Sequence, residues 1–427
     1  MMVRASTAGA FACALAGSIV STAHAEGPPP TQPRPSVTIR PGGWSYFADP
    51  RALRYGGEDY AGWATMDGKI QVARLRGRNI DVETLATGLS PDDHNSPALA
   101  PLPRGPLGAF WSPNVDKDRP DWMFYRVRVR GKWSARRQVP TNSRGRNGYA
   151  YPNPMRVGRR LMLFWRGGNY QPTYSATRNG RSWSKAHTLL TGPPAASPKY
   201  PSSRERPYAK YFANNGIVHM AYNEAHPNRR HTSLYYLRMR GHRIVGPDNV
   251  VLGRRPLRWN QGSRIYSGEE GSGWVMDVAA TAGASPVIVY VRLRQRSSEY
   301  RYVTWEDGEW HDRHICTTPL LLRRSDYPAG LTIDHKDPRV IYVSRKRADR
   351  FVVEAWATAD AGETWAREPL TTSTDADSIR PTSALLGSAV LWMTGKYAHY
   401  TRFNTRIVVA KAREEAAKHR ERRRGAS

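Results

Sequence analysis

Apolar residues in this chain recur in short runs, and none keeps a helical period before the C-terminal tail. Runs such as Leu161-Met-Leu-Phe-Trp165 and Val287-Ile-Val-Tyr-Val291 are rich in β-branched and aromatic residues, with Gly, Pro and Asn clusters between them. That is the pattern of buried strands separated by turns. Elsewhere polar and apolar positions alternate, so Arg126, Arg128 and Arg130 share one strand face, as do Arg292, Arg294 and Arg296. Hairpin-like units repeat at Trp63–Lys69, Tyr125–Trp133, Ser175–Trp183 and Tyr235–Gly241, then at Trp305–Trp310, Ala357–Trp365 and, more weakly, Met393–Tyr397. Spread over residues 38–409, they are spaced by roughly 50 residues, as four-stranded blades are. The expected fold is all-β, a seven-bladed β-propeller.

Two units, Ser175-Ala-Thr-Arg-Asn179-Gly180-Arg-Ser-Trp183 and Ala357-Thr-Ala-Asp360-Ala-Gly362-Glu-Thr-Trp365, match the Asp-box form S-x-D-x-G-x-T-W with substitutions. The amide or acid and the Gly close a tight hairpin while Trp anchors the blade, so the boxes are structural.

The ends read differently. Arg4, an apolar run from about Ala8 to Val20, and Ala23-His24-Ala25 make a secretory signal with an A-x-A site over residues 1–25. Residues 26–37 form a Pro-rich linker and residues 410–427 a basic tail. No later segment has the apolar length of a membrane span. A secreted or periplasmic protein is expected, and a monomer. Cys13 lies in the signal, which leaves Cys316 without an internal disulfide partner.

The chain of 427 residues carries 65 Lys and Arg against 36 Asp and Glu, a net charge of +29. Such charge implies polyanionic partners. For an exported protein these are acidic polysaccharide, lipopolysaccharide or stray nucleic acid, and specific nucleic-acid binding is not expected.

Candidate chemistry begins with Arg166, directly after the Leu161–Trp165 strand and beside Gly167 and Gly168. An arginine at a strand mouth is placed to meet a carboxylate in bidentate fashion. Further polar loop stretches are Pro91-Asp92-Asp93-His94-Asn95-Ser96-Pro97, Ser112-Pro113-Asn114, Arg206-Pro207-Tyr208 and Ala225-His226-Pro227. In a propeller, such strand ends converge on one face around the axis.

The ordered set DDHNSPAL, YPNP, FWRGGN, RPYAKY and AHP, followed by GWVMDVA, PVIVYVR and YPAGLTIDHKDPRVIYVS, resembles the BNR-repeat propeller family that includes ulvan lyases and related rhamnose–glucuronate lyases. The likeness runs from Trp44 to about Ser344. It implies a polysaccharide lyase in which His94 and Tyr151 handle proton transfer, Arg166 neutralises a uronate carboxylate and Tyr208 contacts sugar. Asn95 and Asn114 are expected to bind substrate too, Asn114 standing where ulvan lyases carry a second histidine. The residue types suit β-elimination on their own terms: Arg166 supplies charge where an enolate develops, its cation is expected to lower the Tyr151 pKa, and His94 titrates near working pH. The resemblance also implies a structural Zn²⁺ near His226, the histidine of the HP motif. By residue type Cys316 and His335, with His314 as a fourth, are the further ligand candidates, the alternative being a buried thiol and surface histidines, and no cofactor is expected for catalysis. Two alternatives stand beside the lyase. One is a non-catalytic carbohydrate-binding propeller, which Asn114 would suit; the other is a sialidase-like hydrolase, which needs an arginine triad.

Overall fold

The computed structural model describes residues 37–76, 79–113, 122–140, 149–193, 207–227, 231–322, 327–371 and 375–411. The expected signal segment, nearly all of the Pro-rich linker, Asn114 and most of the basic tail lie outside the described residues. Among the described residues there is no α-helix, and no helix long and apolar enough to cross a membrane.

Seven antiparallel sheets follow one another along the chain. Blade 1 starts with strand Ala52–Tyr55, blade 2 with Ala98–Pro101, blade 3 with Ala150–Val157 and blade 4 with Tyr208–Asn214. Blades 5, 6 and 7 start with Ser272–Ala280, Leu331–Ile333 and Ser378–Ser383. Each of these strands is innermost in its blade, and the next strands pair outward in sequence order. Strand Val37–Pro41 pairs with strand Arg402–Lys411 and so completes blade 7 from the other end of the chain. This pairing ties the first and last described strands into one blade and so closes the ring. Val37, Ala410 and Lys411 are therefore strand residues rather than linker or tail.

The second strand of four blades carries a Trp that is almost wholly buried: Trp63, Trp111, Trp165 and Trp392. In blade 4 the same role falls to Tyr222. These rings fill the wedge between neighbouring blades, where burial of a large aromatic stabilises each interface.

Six of the seven expected hairpin units turn where the sequence places them, one in each of blades 1 to 6. The seventh does not. Met393–Tyr397 lies inside the continuous strand Ala389–His399, and the reversal comes at Tyr400-Thr401. Gly395 has φ 137°, and a Cβ there would come 2.3 Å from the Asn404 carbonyl oxygen. This glycine serves close strand approach, not a turn.

The Asp boxes act as hairpin clasps. Asn179 Oδ1 accepts from the N–H groups of Arg181 and Ser182 at 2.9 and 2.8 Å, and Asp360 Oδ1 accepts from Thr364 N–H at 2.9 Å. In blade 3 the register pairs Arg166 with Pro172 and Leu161 with Thr177, so the box sits at the opposite end of the blade from Arg166.

Candidate functional site

The innermost strands all begin at one face of the ring, called here the upper face. The stretch Trp44–Arg51 lies across the axis there and is largely buried. It bonds to several blades. Trp44 Nε1 donates to the Arg380 carbonyl (3.1 Å), Tyr46 Oη to the Pro328 carbonyl (2.6 Å), and Asp49 N–H to the Pro152 carbonyl (3.2 Å). Asp49 Oδ2 also accepts from Lys210 Nζ at 2.6 Å. This plug forms the floor of an upper-face cavity of about 190 Å³, walled by Tyr151, Arg166 and Tyr208 on one side and by Arg380 and Tyr397 on another.

Tyr151 enters the cavity through a distortion of its strand. Its φ is 61°, and the register with strand Arg160–Arg166 shifts between Ala150 and Asn153. A bulge of this kind re-aims a side chain. Asn153 holds it in place, donating to the carbonyls of Phe47 (2.9 Å) and Tyr151 (2.8 Å). Blade 7 repeats the device: Arg380 has φ 49°, and the register shifts between Ile379 and Thr382. Both residues precede a proline, Pro152 and Pro381. Positive φ on bulky residues is a strain that clusters at functional sites.

Arg166, the last residue of its strand, has its guanidinium carbon 4.6 Å from the Tyr151 ring centre and 5.5 Å from that of Tyr208. Its Nη1 donates to Tyr208 Oη at 3.0 Å. His94 also packs against Tyr151, ring centres 5.2 Å apart. The Asp93–Asn95 turn carries it, capped by Asp92, which accepts from the His94 N–H at 2.8 Å. Asp92 Oδ1 also meets His94 Nδ1 at 2.5 Å, and Asp93 Oδ1 lies 3.2 Å from the same nitrogen. The cavity is thus left to Nε2.

Burial alone would push the His94 pKa down, but Asp92 and Asp93 outweigh it and hold the imidazole up at about 9. Asp93 is held down at about 2: burial raises it, and Arg380 and His94 more than compensate. Asp93 Oδ2 accepts from Arg380 Nη1 (2.6 Å) and Tyr397 Oη (2.7 Å). For Tyr151 the expectation of a lowered pKa is reversed. Burial dominates over Arg166 and moves the phenol well above its ordinary value, so at neutral pH Tyr151 carries its proton.

His94, Tyr151, Arg166 and Tyr208, distant in sequence, are thus brought together, and His226 joins their wall with its ring 5.0 Å from Tyr208. Asn95 is not among the cavity's lining residues. It is 3% exposed and donates to the Ser90 carbonyl at 3.0 Å, which makes it part of the turn's framework rather than a substrate contact. The zinc ligands do not converge. His335 is bonded to Asp277 (3.2 Å) and stacked on Phe212, while Cys316 sits in outer strand Glu309–Pro319 opposite Tyr300, and burial pushes its thiol up to about 12. His314 is turned to Thr317 at 3.0 Å. Among the described residues, the one His/Cys/Asp/Glu group with ligand atoms close together is Asp92, Asp93 and His94, whose atoms already bond one another, Arg380 and Tyr397. These residues do not fit the structural zinc that the resemblance implies.

Sequence reasoning missed Arg380 and the aromatic lining of Tyr46, Trp274, Tyr327, Tyr397 and Tyr400. One signal was present for Arg380: an Arg-Pro pair at the start of an innermost strand, parallel to Tyr151-Pro152.

The model of the BNR repeat-containing family matches residues 58–317. The chain belongs to that family. Among solved structures, this BNR-repeat protein is similar to an ulvan lyase of polysaccharide lyase family PL25 bound to -[GlcA(1-4)Rha3S]-. The identity is 13% and the TM-score 0.67, over 89% of this chain and 96% of that one. It is also similar to the polysaccharide lyase Uly1, at 12% identity and a TM-score of 0.56, over 87% of this chain and 92% of the other. At these identities the likeness is one of fold, and it agrees with the seven blades. No curated protein gives a significant match.

Proposed function

We propose that this BNR-repeat protein is an exported polysaccharide lyase that cleaves a uronate-containing glycan of the rhamnose–glucuronate, ulvan-like type by β-elimination. One observation carries the reading: Arg166 packs against both Tyr151 and Tyr208 in one cavity, and the His94 ring packs against the same Tyr151. Arg166 binds the uronate carboxylate and stabilises the charge that builds on it as the C5 proton leaves. Asp92 holds His94 Nδ1, so neutral Nε2 is the base that takes this proton. The C4–O4 bond then breaks with its electron pair going to O4, and Tyr151, a phenol kept protonated by burial, protonates the leaving oxygen. The product is a 4,5-unsaturated uronate. The lining aromatics give sugar rings apolar faces to pack on. A sialidase-like site requires three arginines; among the described residues the cavity is lined by two, Arg166 and Arg380.

The test is near-ultraviolet absorbance of the unsaturated product, with purified protein on ulvan, gum arabic and gellan side by side and Arg166→Ala as control. A rise on one glycan that is lost in the control is the expected result. Absence of a rise on all three, with retained binding, points to the carbohydrate-binding alternative.

A further inference from the structure

A second cleft opens between blades 1 and 2, lined by Thr84–Thr87, Arg126 and Arg136 and enclosing about 300 Å³. Strand Asn79–Ala86, the outermost of blade 1, ends at the upper face, because Ala86 pairs with Ile70 and Asn79 with Arg76. Strand Met123–Val129 of blade 2 contributes Arg126 and Arg128 from its face toward blade 1. The fates of these arginines differ. Arg128 is ion-paired with Glu83 across the interface and lies over the Trp133 ring. Arg126 and Arg136 have no carboxylate partner among the described residues. Among the described residues Arg126 Nε is buried with no hydrogen-bond acceptor, and Arg136 lies 4.4 Å over the Phe124 ring, which holds its guanidinium at the cleft.

Two guanidinium groups with no carboxylate partner among the described residues, one of them with an unbonded buried donor there, beside threonine hydroxyls and a floor of Leu85 and Ala86, make an acceptor for an anionic sugar. The charge meets a carboxylate or sulfate ester while the apolar floor meets the ring's C–H face. Residues 87–92 run from this cleft to the turn that carries His94, both on the upper face. We propose that the cleft is a second binding site for an acidic polysaccharide, holding a stretch of the same chain whose uronate occupies the central cavity. This rests on the reading of the cavity as a uronate site.

The experiment measures binding of ulvan to the full chain in an Arg166→Ala background, by isothermal calorimetry at low salt with neutral dextran as control. Because this background does not cleave, binding at the cleft is read whether or not the lyase reading survives. Arg126→Gln with Arg136→Gln is expected to raise the Kd about tenfold, and Arg136→Gln alone, at an exposed position, part of that. The control is Arg240→Gln with Arg243→Gln, which removes equal charge from exposed positions at the lower face of blade 4; it should change the Kd less than about twofold. Equal weakening in the two double variants means diffuse electrostatics and overturns the proposal. So does an unchanged Kd in Arg126→Gln/Arg136→Gln, or equal binding of dextran.

Discussion

Through the Asp92–His94 contact, the residue that caps the turn also sets the protonation of the imidazole. With the imidazole held near 9, the proposed elimination should show a kcat/KM that rises with pH through about 9, since in that mechanism the C5 proton goes to a neutral Nε2. Asp92→Asn removes the leading upward influence on that pKa, so the ascending limb should move toward the ordinary 6.5, which a pH profile of product absorbance will show. A profile that falls through about 9 would instead make the imidazolium an acid and reverse the assignment of His94 and Tyr151. The same ionisation acts on stability. A folded pKa raised above 6.5 contributes stability that is complete below 6.5 and is lost as pH rises through about 9. Urea unfolding across that window should show a decline that His94→Gln flattens. For Arg166→Lys, loss of the planar fork should lower kcat/KM by about 10²–10³-fold, read on whichever glycan is cleaved. His94, Tyr151, Arg166 and Tyr208 were legible in the sequence because each sits in a short polar motif at a strand end. Arg380 was not, because its importance comes from partners such as Asp93 and Trp44 that only the closed ring brings to it.

At the level of strands, two bulged innermost strands place Tyr151 and Arg380, and both use a residue at positive φ ahead of a proline. The hydrophobic pattern shows where such strands lie but not where their register slips, since a bulge leaves no mark on alternation. The same limit explains Met393–Tyr397: a Gly flanked by polar residues reads as a turn, whereas here it permits close approach to Asn404. Gly395→Ala should therefore destabilise the protein by about 1–3 kcal/mol through strain and backbone clash, with no direct contact to the cavity. Thermal or urea denaturation checks it. A neutral result would mean that the neighbouring strand yields.

Across the whole molecule, the blade repeat was the clearest message of the sequence, since aromatic and turn residues recur in each of blades 1 to 6. The cavity floor was much less so, because Trp44–Arg51 makes contacts with no local signature. Deleting Val37–Pro41 should open blade 7 and lower the melting temperature sharply, as unpaired backbone groups of Arg402–Lys411 lose their partners. Trp44 bonds to Arg380 across a separation of 336 residues. Its neighbours up to Arg51 directly follow the strand that closes the ring. The order of events in folding follows from this arrangement. Contacts of such separation form late and slowly, so the cavity has no floor until the ring has closed. In refolding experiments, catalytic competence should return in the slowest phase and never precede closure, however early individual blades acquire their strands.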